Sequence, residues 1–442
     1  MSAGAVHHRD DTHEEPVMTT FRSRPAVSLA DADFAGDVGE QQTLRSAMVG
    51  YWRRVRGGDM GSLPAVLGLV VLFVVFGLAN DRFLSALNLA NLITQAGAIC
   101  VLAMGLVFVL LLGDIDLSAG VAGGVSACAM ALTVVNMSWP WWAAILVGTA
   151  CGALIGLAIG VLRASLGIPS FVVTLAFFLG LQGVTLKLIG EGGSVRVDDP
   201  VIRGLTIENL SVPVGWALAL AVVLGYAGVE ALQLRRKKAL RLSHPPGGVV
   251  LARISAIAAV VFGVTVVLNV NRSVNPSVEI RGIPYVLPLV LVLLVVATVV
   301  LTRTSYGRHI YAVGGNAEAA RRAGISVDRI RVSVFVVCSS LAALSGIIAA
   351  SYAGKVSASS GAGNTLLYAV GAAVIGGTSL FGGRGRAIDA VIGGVVVATI
   401  ANGLGLLNQS SYINFLVTGG VLLLAASVDA ISRRRRSSTG VG

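Results

Sequence analysis

The sequence predicts an all-α, polytopic membrane protein of about twelve spanning helices with both termini in the cytoplasm. Three observations carry that prediction. Of 442 residues, 55% are hydrophobic and 12% charged, about half the roughly 25% charged of a soluble domain, and the mean hydropathy is +0.83. A chain so apolar cannot present a wetted surface. Glycine is abundant at 55 residues while aromatics make up 6%, which suits helices packed through small side chains rather than a barrel with aromatic girdles. Finally, apolar runs near the ~20 residues needed to cross ~30 Å of hydrocarbon alternate with basic clusters as the positive-inside rule requires.

Residues 1–58 are polar, mixed in charge and without sustained periodicity, and no apolar stretch follows Met1. They are expected to be a disordered cytoplasmic tail rather than a cleaved signal. His7, His8 and His13 within it read as solvated side chains, not a metal site. The transmembrane domain is expected over 59–432, with a basic cytoplasmic tail over 433–442. Its apolar runs lie at about 63–79, 91–112, 117–136, 141–162, 169–189, 213–233, 249–269, 284–302, 332–352, 366–383, 387–406 and 412–430, several interrupted by glycine or asparagine.

Walking the loops fixes the orientation. With the N-terminus inside, the cytoplasmic ends hold Arg53, Arg54 and Arg56, then Arg163, then Arg235, Arg236, Lys237, Lys238 and Arg241, then the polar segment 302–331, then Arg384 and Arg386, and Arg433 to Arg436. The opposite ends carry little positive charge and the aromatic cluster Trp139, Trp141 and Trp142. These clusters account for the net charge of +11, so nucleic acid is not expected as a partner. Cys100, Cys128, Cys151 and Cys338 all fall inside apolar runs without CxxC spacing. They read as small core residues.

Gly113-Asp114-Ile115-Asp116-Leu117-Ser118 sets two carboxylates between apolar runs. It is either a tight cytoplasmic turn, with Asp116 and Ser118 capping the next helix, or a polar break lining a path, since intramembrane acids are costly without a purpose. A spacing of two does not put both acids on one helical face, which argues against a metal or proton-relay pair. The glycines around Thr378 and Ser379, from Gly376 to Gly385, lack the preceding strand and the following Gly-Lys-Ser/Thr of a phosphate loop. They indicate close packing or a helix break. Asn91, Gln95, Gln182, Asn402 and Asn408 are intramembrane amides that can hydrogen-bond a sugar hydroxyl or hold helices together. His244 and His309 lie near basic loops, and no catalytic constellation or metal set is apparent.

Segment 302–331 is the longest polar interval between apolar runs beyond the tail. Asn316 is a suitable N-cap, Ala317 to Ala323 are strong helix formers and Gly324 suits the C′ position. Glu318 in the first turn and Arg321 and Arg322 in the last complement the helix dipole. The result is a short capped helix on the cytoplasmic face.

The run Asn316-Ala-Glu-Ala319-Ala-Arg-Arg-Ala-Gly324-Ile resembles the EAA-type coupling segment of membrane subunits in ABC importers. GDIDLSAG resembles the GIDLSVG signature of the sugar branch of these permeases, which handles ribose, xylose and galactose, and SYGRHIYAVGGN and VIGGTSLFGGRGR match the same branch. The similarity covers most of 63–432. It implies a type II ABC importer-like permease in the cell membrane, surrounded by lipid. The resemblance further implies that Asn316, Glu318, Ala319, Arg321, Arg322 and Gly324 couple to a cytoplasmic ABC ATPase. It also implies that a second permease copy, or a paralogue, completes the pathway and that an extracytoplasmic sugar-binding protein docks on loops 190–212 and 353–365. Asp114, Asp116, Ser118, Gln95 and Asn402 are the expected signature and pathway residues. ATP would be bound by the partner, so the chain is expected to be neither an enzyme nor a cofactor protein. Residues 303–311 and 326–331 would be hinges at the membrane edge.

Two further features refine the resemblance. The extra hairpin of runs 213–233 and 249–269, joined by LRRKKALRLSH, together with IPSFVVTLA from Ile168, is similar to the xylose-type permease, so the expected cargo is D-xylose. Ribose, galactose or another sugar is the alternative, as is an ion-coupled secondary transporter, which would need mid-depth acids. Where the branch shows an ELDAIAA-like run, this chain has Leu366 and Tyr368 in place of the acids. That departure bears on binding-protein docking or on the pathway lining.

Overall fold

The computed structural model describes residues 61–421 except 241, 243, 274 and 276, together with 423, 424 and 427. The expected tails at 1–58 and 433–442, their histidines and arginines, Arg241 and the rest of the 412–430 run lie outside the described residues.

The elements follow in chain order: α1 (Leu63–Ala79), α2 (Ala86–Leu111), α3 (Ala119–Met137), α4 (Trp141–Ser165), α5 (Ser170–Ile189), β1 (Ser194–Arg196), α6 (Pro200–Ile207), β2 (Asn209–Leu210), α7 (Val212–Ala239), α8 (Gly247–Asn269), β3 (Ile283–Pro284), α9 (Val286–Arg303), α10 (Ser305–Gly315), α11 (Ala317–Arg322), α12 (Val327–Ala353), β4 (Lys355–Ser357), α13 (Thr365–Gly376) and α14 (Ala387–Leu406). Residues 411–421 are also helical. Among the described residues, nine helices are long and apolar enough to cross a membrane, and α1 and α13 are shorter apolar helices.

Three stretches differ from the sequence expectation, one of them the expected hinge at 326–331, which from Val327 on is the first turn of α12. The run at 366–383 is not one helix: α13 has 12 residues, a rise of about 18 Å, and 377–386 leaves it as a loop. Gly377, Gly382, Gly383 and Gly385 there all have positive φ, which an α-helix cannot contain, although hydropathy continues through Phe381. The expected hinge at 303–311 is mostly helix α10, capped by Thr304, whose hydroxyl oxygen accepts from Gly307 N at 3.1 Å.

The bundle is organised around α2. Every residue from Cys100 to Leu111 is buried, as expected of a helix apolar all round and enclosed by others. On the opposite side of α12 from α2 runs α4, whose Gly148, Gly152, Gly156 and Gly160 recur every four residues and face Ile347, Ser339, Phe335 and Val332 of α12. Without a hydrophobic force between helices in lipid, association depends on this close approach of backbones. A Cβ at Gly156 would meet the carbonyl oxygen of Phe335. Gly156→Leu is therefore expected to cost about 1–3 kcal/mol or more, seen as a lower unfolding temperature of the detergent-solubilised protein. Gly180→Leu, at a position with nothing within 4 Å of the added atom, should leave that temperature unchanged.

Helices α7 and α8 form a hairpin with Trp216 and Phe262 ring centroids 6.1 Å apart. Few of their side chains are buried, and Leu220, Leu224, Leu251 and Val260 face outward, where acyl chains cover them. At the end of α12 opposite to α11, the two loops expected to dock a binding protein meet. β1 pairs antiparallel with β4 through Ser194–Ser357, Val195–Val356 and Arg196–Lys355, and β2 pairs with β3. Arg203 of α6 donates to Ser351 O at 2.6 Å, tying this layer to the end of α12. Trp139, Trp141 and Trp142 are exposed at the same end, where amphipathic rings favour the interface.

Candidate functional site

The face that the sequence expects in the cytoplasm is built on α11. Asn316 is extended, and its Oδ1 accepts from Ala319 N at 2.9 Å. Glu318 accepts from Arg322 Nε at 3.1 Å and Arg321 Nη1 at 3.4 Å, all three side chains being more than half exposed. Ala320 is the buried anchor. Gly324 follows at φ 83° with open space around it, and Ile325 N donates to Ala320 O at 3.0 Å, so α11 turns directly into α12. A shallow depression of about 340 Å³ lies beside this turn, lined by His309, Gly324, Ser326 and Arg329 among others. The face is thus fixed in shape, and its charges remain exposed.

Helix α10 clamps this face to the bundle. Tyr311 donates its hydroxyl hydrogen to Gly385 O at 2.7 Å. Burial raises the pKa of that phenol, and the nearby Asp389 adds to the shift, so the donor keeps its proton. The 377–386 loop is held in turn by Gly383 N to Leu111 O at 2.8 Å and Arg386 to Ser62 at 3.1 Å.

The GDIDLS turn lies inside the protein. Asp114 Oδ1 accepts from Arg163 Nε at 3.2 Å and Nη2 at 3.1 Å, and Arg331 Nε stands 3.9 Å from Oδ2. One carboxylate therefore bridges the ends of α2 and α4 and the start of α12. Asp116 is fully buried and accepts from Ser118 N at 2.9 Å and Ser118 Oγ at 2.6 Å, with the Cys338 thiol beside it. Ser118 spends its hydroxyl on Asp116 and makes no side-chain cap of its own. Cys338 lies about 10 Å further along α12 than Arg331, so Asp116 sits deeper than the cytoplasmic edge expected for it. The turn runs inward against α12 as well as between helices. Ile115 is bound on both sides by α5, through Ser170 and Thr174.

A third group lies toward the end where β1 pairs with β4. Asn88 and Asn402, both buried, exchange amide hydrogen bonds at 2.9 and 3.0 Å. Asn402 Nδ2 reaches Gln95 Oε1 at 3.4 Å, and Gln95 Nε2 donates to Tyr352 Oη at 3.1 Å. The chain joins α14, α2 and α12 and ends on a phenol that is 50% exposed. Asn91 is exposed, Gln182 half-buried, and Asn408 ends the turn after α14 at φ 51°; none of the three joins the chain. Leu366 is buried on α13 near Gly120, so the apolar residue fills a place where a carboxylate would be desolvated.

Residues 88–426 match the family model described as branched-chain amino acid transport system / permease component. The chain belongs to this permease family. It is 33% identical over 372 residues to the xylose transport system permease protein XylH of Escherichia coli, covering 84% of this chain and 92% of the relative. The Haemophilus influenzae XylH is 32% identical over 374 residues, with 84% and 96% covered. The ribose import permease protein RbsC of Escherichia coli is 31% identical over 365 residues, with 83% and 92% covered. No solved structure matches.

The expected branch, the ribose- and xylose-type ABC permeases, is the one found, and its members are non-catalytic inner-membrane subunits that work with an ABC ATPase and a binding protein. Four residues of this permease escaped the sequence reading: Arg163 and Arg331, which meet Asp114, and Asn88 and Tyr352, which extend the Gln95–Asn402 pair. Arg163 was visible only as orientation charge and Arg331 only as the end of the polar segment. Asn88 precedes the run predicted to start at 91, and Tyr352 resembles any interfacial aromatic. An unusual amide-to-phenol spacing across 257 residues leaves no local signal.

Proposed function

We propose that this permease moves D-xylose inward as half of a homodimeric pathway. Sugar is delivered by an extracytoplasmic binding protein to the paired β1–β4 layer. Two cytoplasmic ATPase subunits grip Asn316, Glu318, Ala319, Arg321, Arg322 and Gly324. The observation that carries the coupling part is the capped, exposed α11 joined without slack to α12, whose far end reaches Tyr352 and the outer layer. Closure of the ATPases would move α11, and α12 would carry the motion about 40 Å along its 27 residues. Asp114, Asp116 and Ser118 anchor the helices that must move together, and Gln95 and Asn402 serve the pathway.

The choice of xylose is supported by the two xylose permeases among the relatives and by the α7–α8 hairpin. Uptake of labelled D-xylose, D-ribose and D-galactose, with the system's ATPase and binding protein present, tests it. D-xylose is expected to enter fastest. Ribose or galactose uptake without xylose uptake would overturn the choice of sugar, and uptake independent of ATP would overturn the transporter class.

A further inference from the structure

Between α2, α3, α12 and the stretch 355–365 lies a cavity of about 160 Å³. It exists because the chain does not stay outside after α12. Beyond β4 it dips back, so that Ser360 and Gly361 lie against the backbones of Gly120 and Gly124 of α3, and α13 starts from this depth at Thr365. The walls on α2 and α12 are mainly small residues, Ala98 and Gly346 among them, while Lys355, Ser360 and Thr365 bring polar groups. Drug-sized ligands need pockets of about 300–1,000 Å³; this one is the size of a single small ring.

The amide chain leads to its rim. Gln95 precedes Ala98 and Ile99 by one turn on the same face of α2, and Tyr352 follows Ser345 and Ala349 on the same face of α12. The Tyr352 oxygen accepts from Gln95, but its own O–H has no acceptor among the described residues. Lys355 has no ion-pair partner among them either. Lys355 lines the cavity and Tyr352 stands next to the lining residue Ala353; two unspent donors there suit a ligand rich in hydroxyl acceptors.

We infer that this cavity is a monosaccharide subsite of the permease, with the Tyr352 hydroxyl and the Lys355 ammonium as donors and Gln95 as the group that orients the phenol. The inference rests on the proposed sugar-permease function. Sugar leaving the binding protein would meet these donors first. Asn88 and Asn402 hold Gln95 in its rotamer, which gives the buried amide pair a purpose beyond joining α2 to α14.

Tyr352→Phe and Lys355→Met test it, both at exposed positions where folding is least disturbed. Labelled D-xylose and D-ribose uptake is measured in the assembled transporter, alongside ATP hydrolysis stimulated by the loaded binding protein. Each variant is expected to lower uptake roughly three- to tenfold, the worth of one hydrogen bond, and to change the xylose-to-ribose ratio, while stimulated ATP hydrolysis persists in Tyr352→Phe. Unchanged uptake and ratio would overturn the subsite. So would an equal loss for both sugars accompanied by loss of stimulated hydrolysis, which marks a docking residue instead. A wild-type protein that transports none of D-xylose, D-ribose and D-galactose would overturn the functional reading itself, and the subsite with it.

Discussion

Glu318→Lys is expected to abolish sugar uptake while the protein stays folded in the membrane. The two halves of that statement have separate physical grounds. Among the described residues Glu318 pairs only with Arg321 and Arg322 on its own helix, with side chains 58%, 57% and 79% exposed. Such pairs are worth about 0.5 kcal/mol or less each, and the favourable dipole contact adds a few tenths more. Folding therefore barely registers the change. A partner that meets the carboxylate would meet a like charge instead, and charge reversal in a formed interface costs several kcal/mol, roughly a hundredfold or more in affinity. Gly324→Leu is the companion experiment. Its φ of 83° is costly for any side chain by about 1–2 kcal/mol, yet nothing within 4 Å obstructs the new group, so the branch would project from the face beside α11. Loss of uptake in both variants at normal membrane abundance is the expected result. Normal uptake by either variant would show that the ATPase does not use this helix.

Asp114→Ala is expected to destabilise the bundle by more than any exposed charge change. Asp114 is 7% exposed, Arg163 16% and Arg331 20% at the side chain, so removing the carboxylate strands two guanidinium groups where water reaches them poorly. Breaking a buried pair typically costs about 3–5 kcal/mol, and the partial exposure of the arginines puts this case nearer 2–3. The thermal midpoint in detergent should fall accordingly. Arg163→Met in the same protein removes one stranded charge, so the double variant should lose less than the sum of the two singles, by about 1 kcal/mol or more. Strict additivity would mean that the 3.1 Å contact contributes nothing. Arg331 lies only a few residues beyond Gly324, so uptake should decline in Asp114→Ala even at temperatures where the protein remains folded.

What could be seen in the sequence was what is local. The cap at Asn316, the charges of Glu318, Arg321 and Arg322, and the glycine at 324 all act within one or two turns, and their spacing is enough to define α11. Spanning helices are equally local, because length and apolarity decide them. Hydropathy is blind to backbone conformation, however, and so 366–383 looked continuous although its glycines stop α13 at Gly376. Helix α10 was hidden for the opposite reason: Gly307, Gly314 and Gly315 resemble loop residues, yet Gly307 is needed for its close approach to Val300 and Leu301 and Gly314 for its approach to Leu111. The second half of the GDIDLS question was tertiary. Nothing near Asp114 announces Arg163, 49 residues on, and the depth of Asp116 depends on which part of α12 it meets.

The amide pair that joins α2 to α14 also bears on how the protein is made. Asn88 and Asn402 are 314 residues apart, and Asn80 reaches Leu406 across 326. At about 5–20 residues per second, α2 waits on the order of half a minute after synthesis for the helix that satisfies it. During that interval Asn88 lacks its partner on α14, although Gln95 can already meet Tyr352 of α12. The packing of α2 is therefore completed late, when α14 inserts into a prepared slot. A ribosome stalled before residue 387 should leave Asn88 open to the insertion machinery, and a chain released at that point should be degraded quickly.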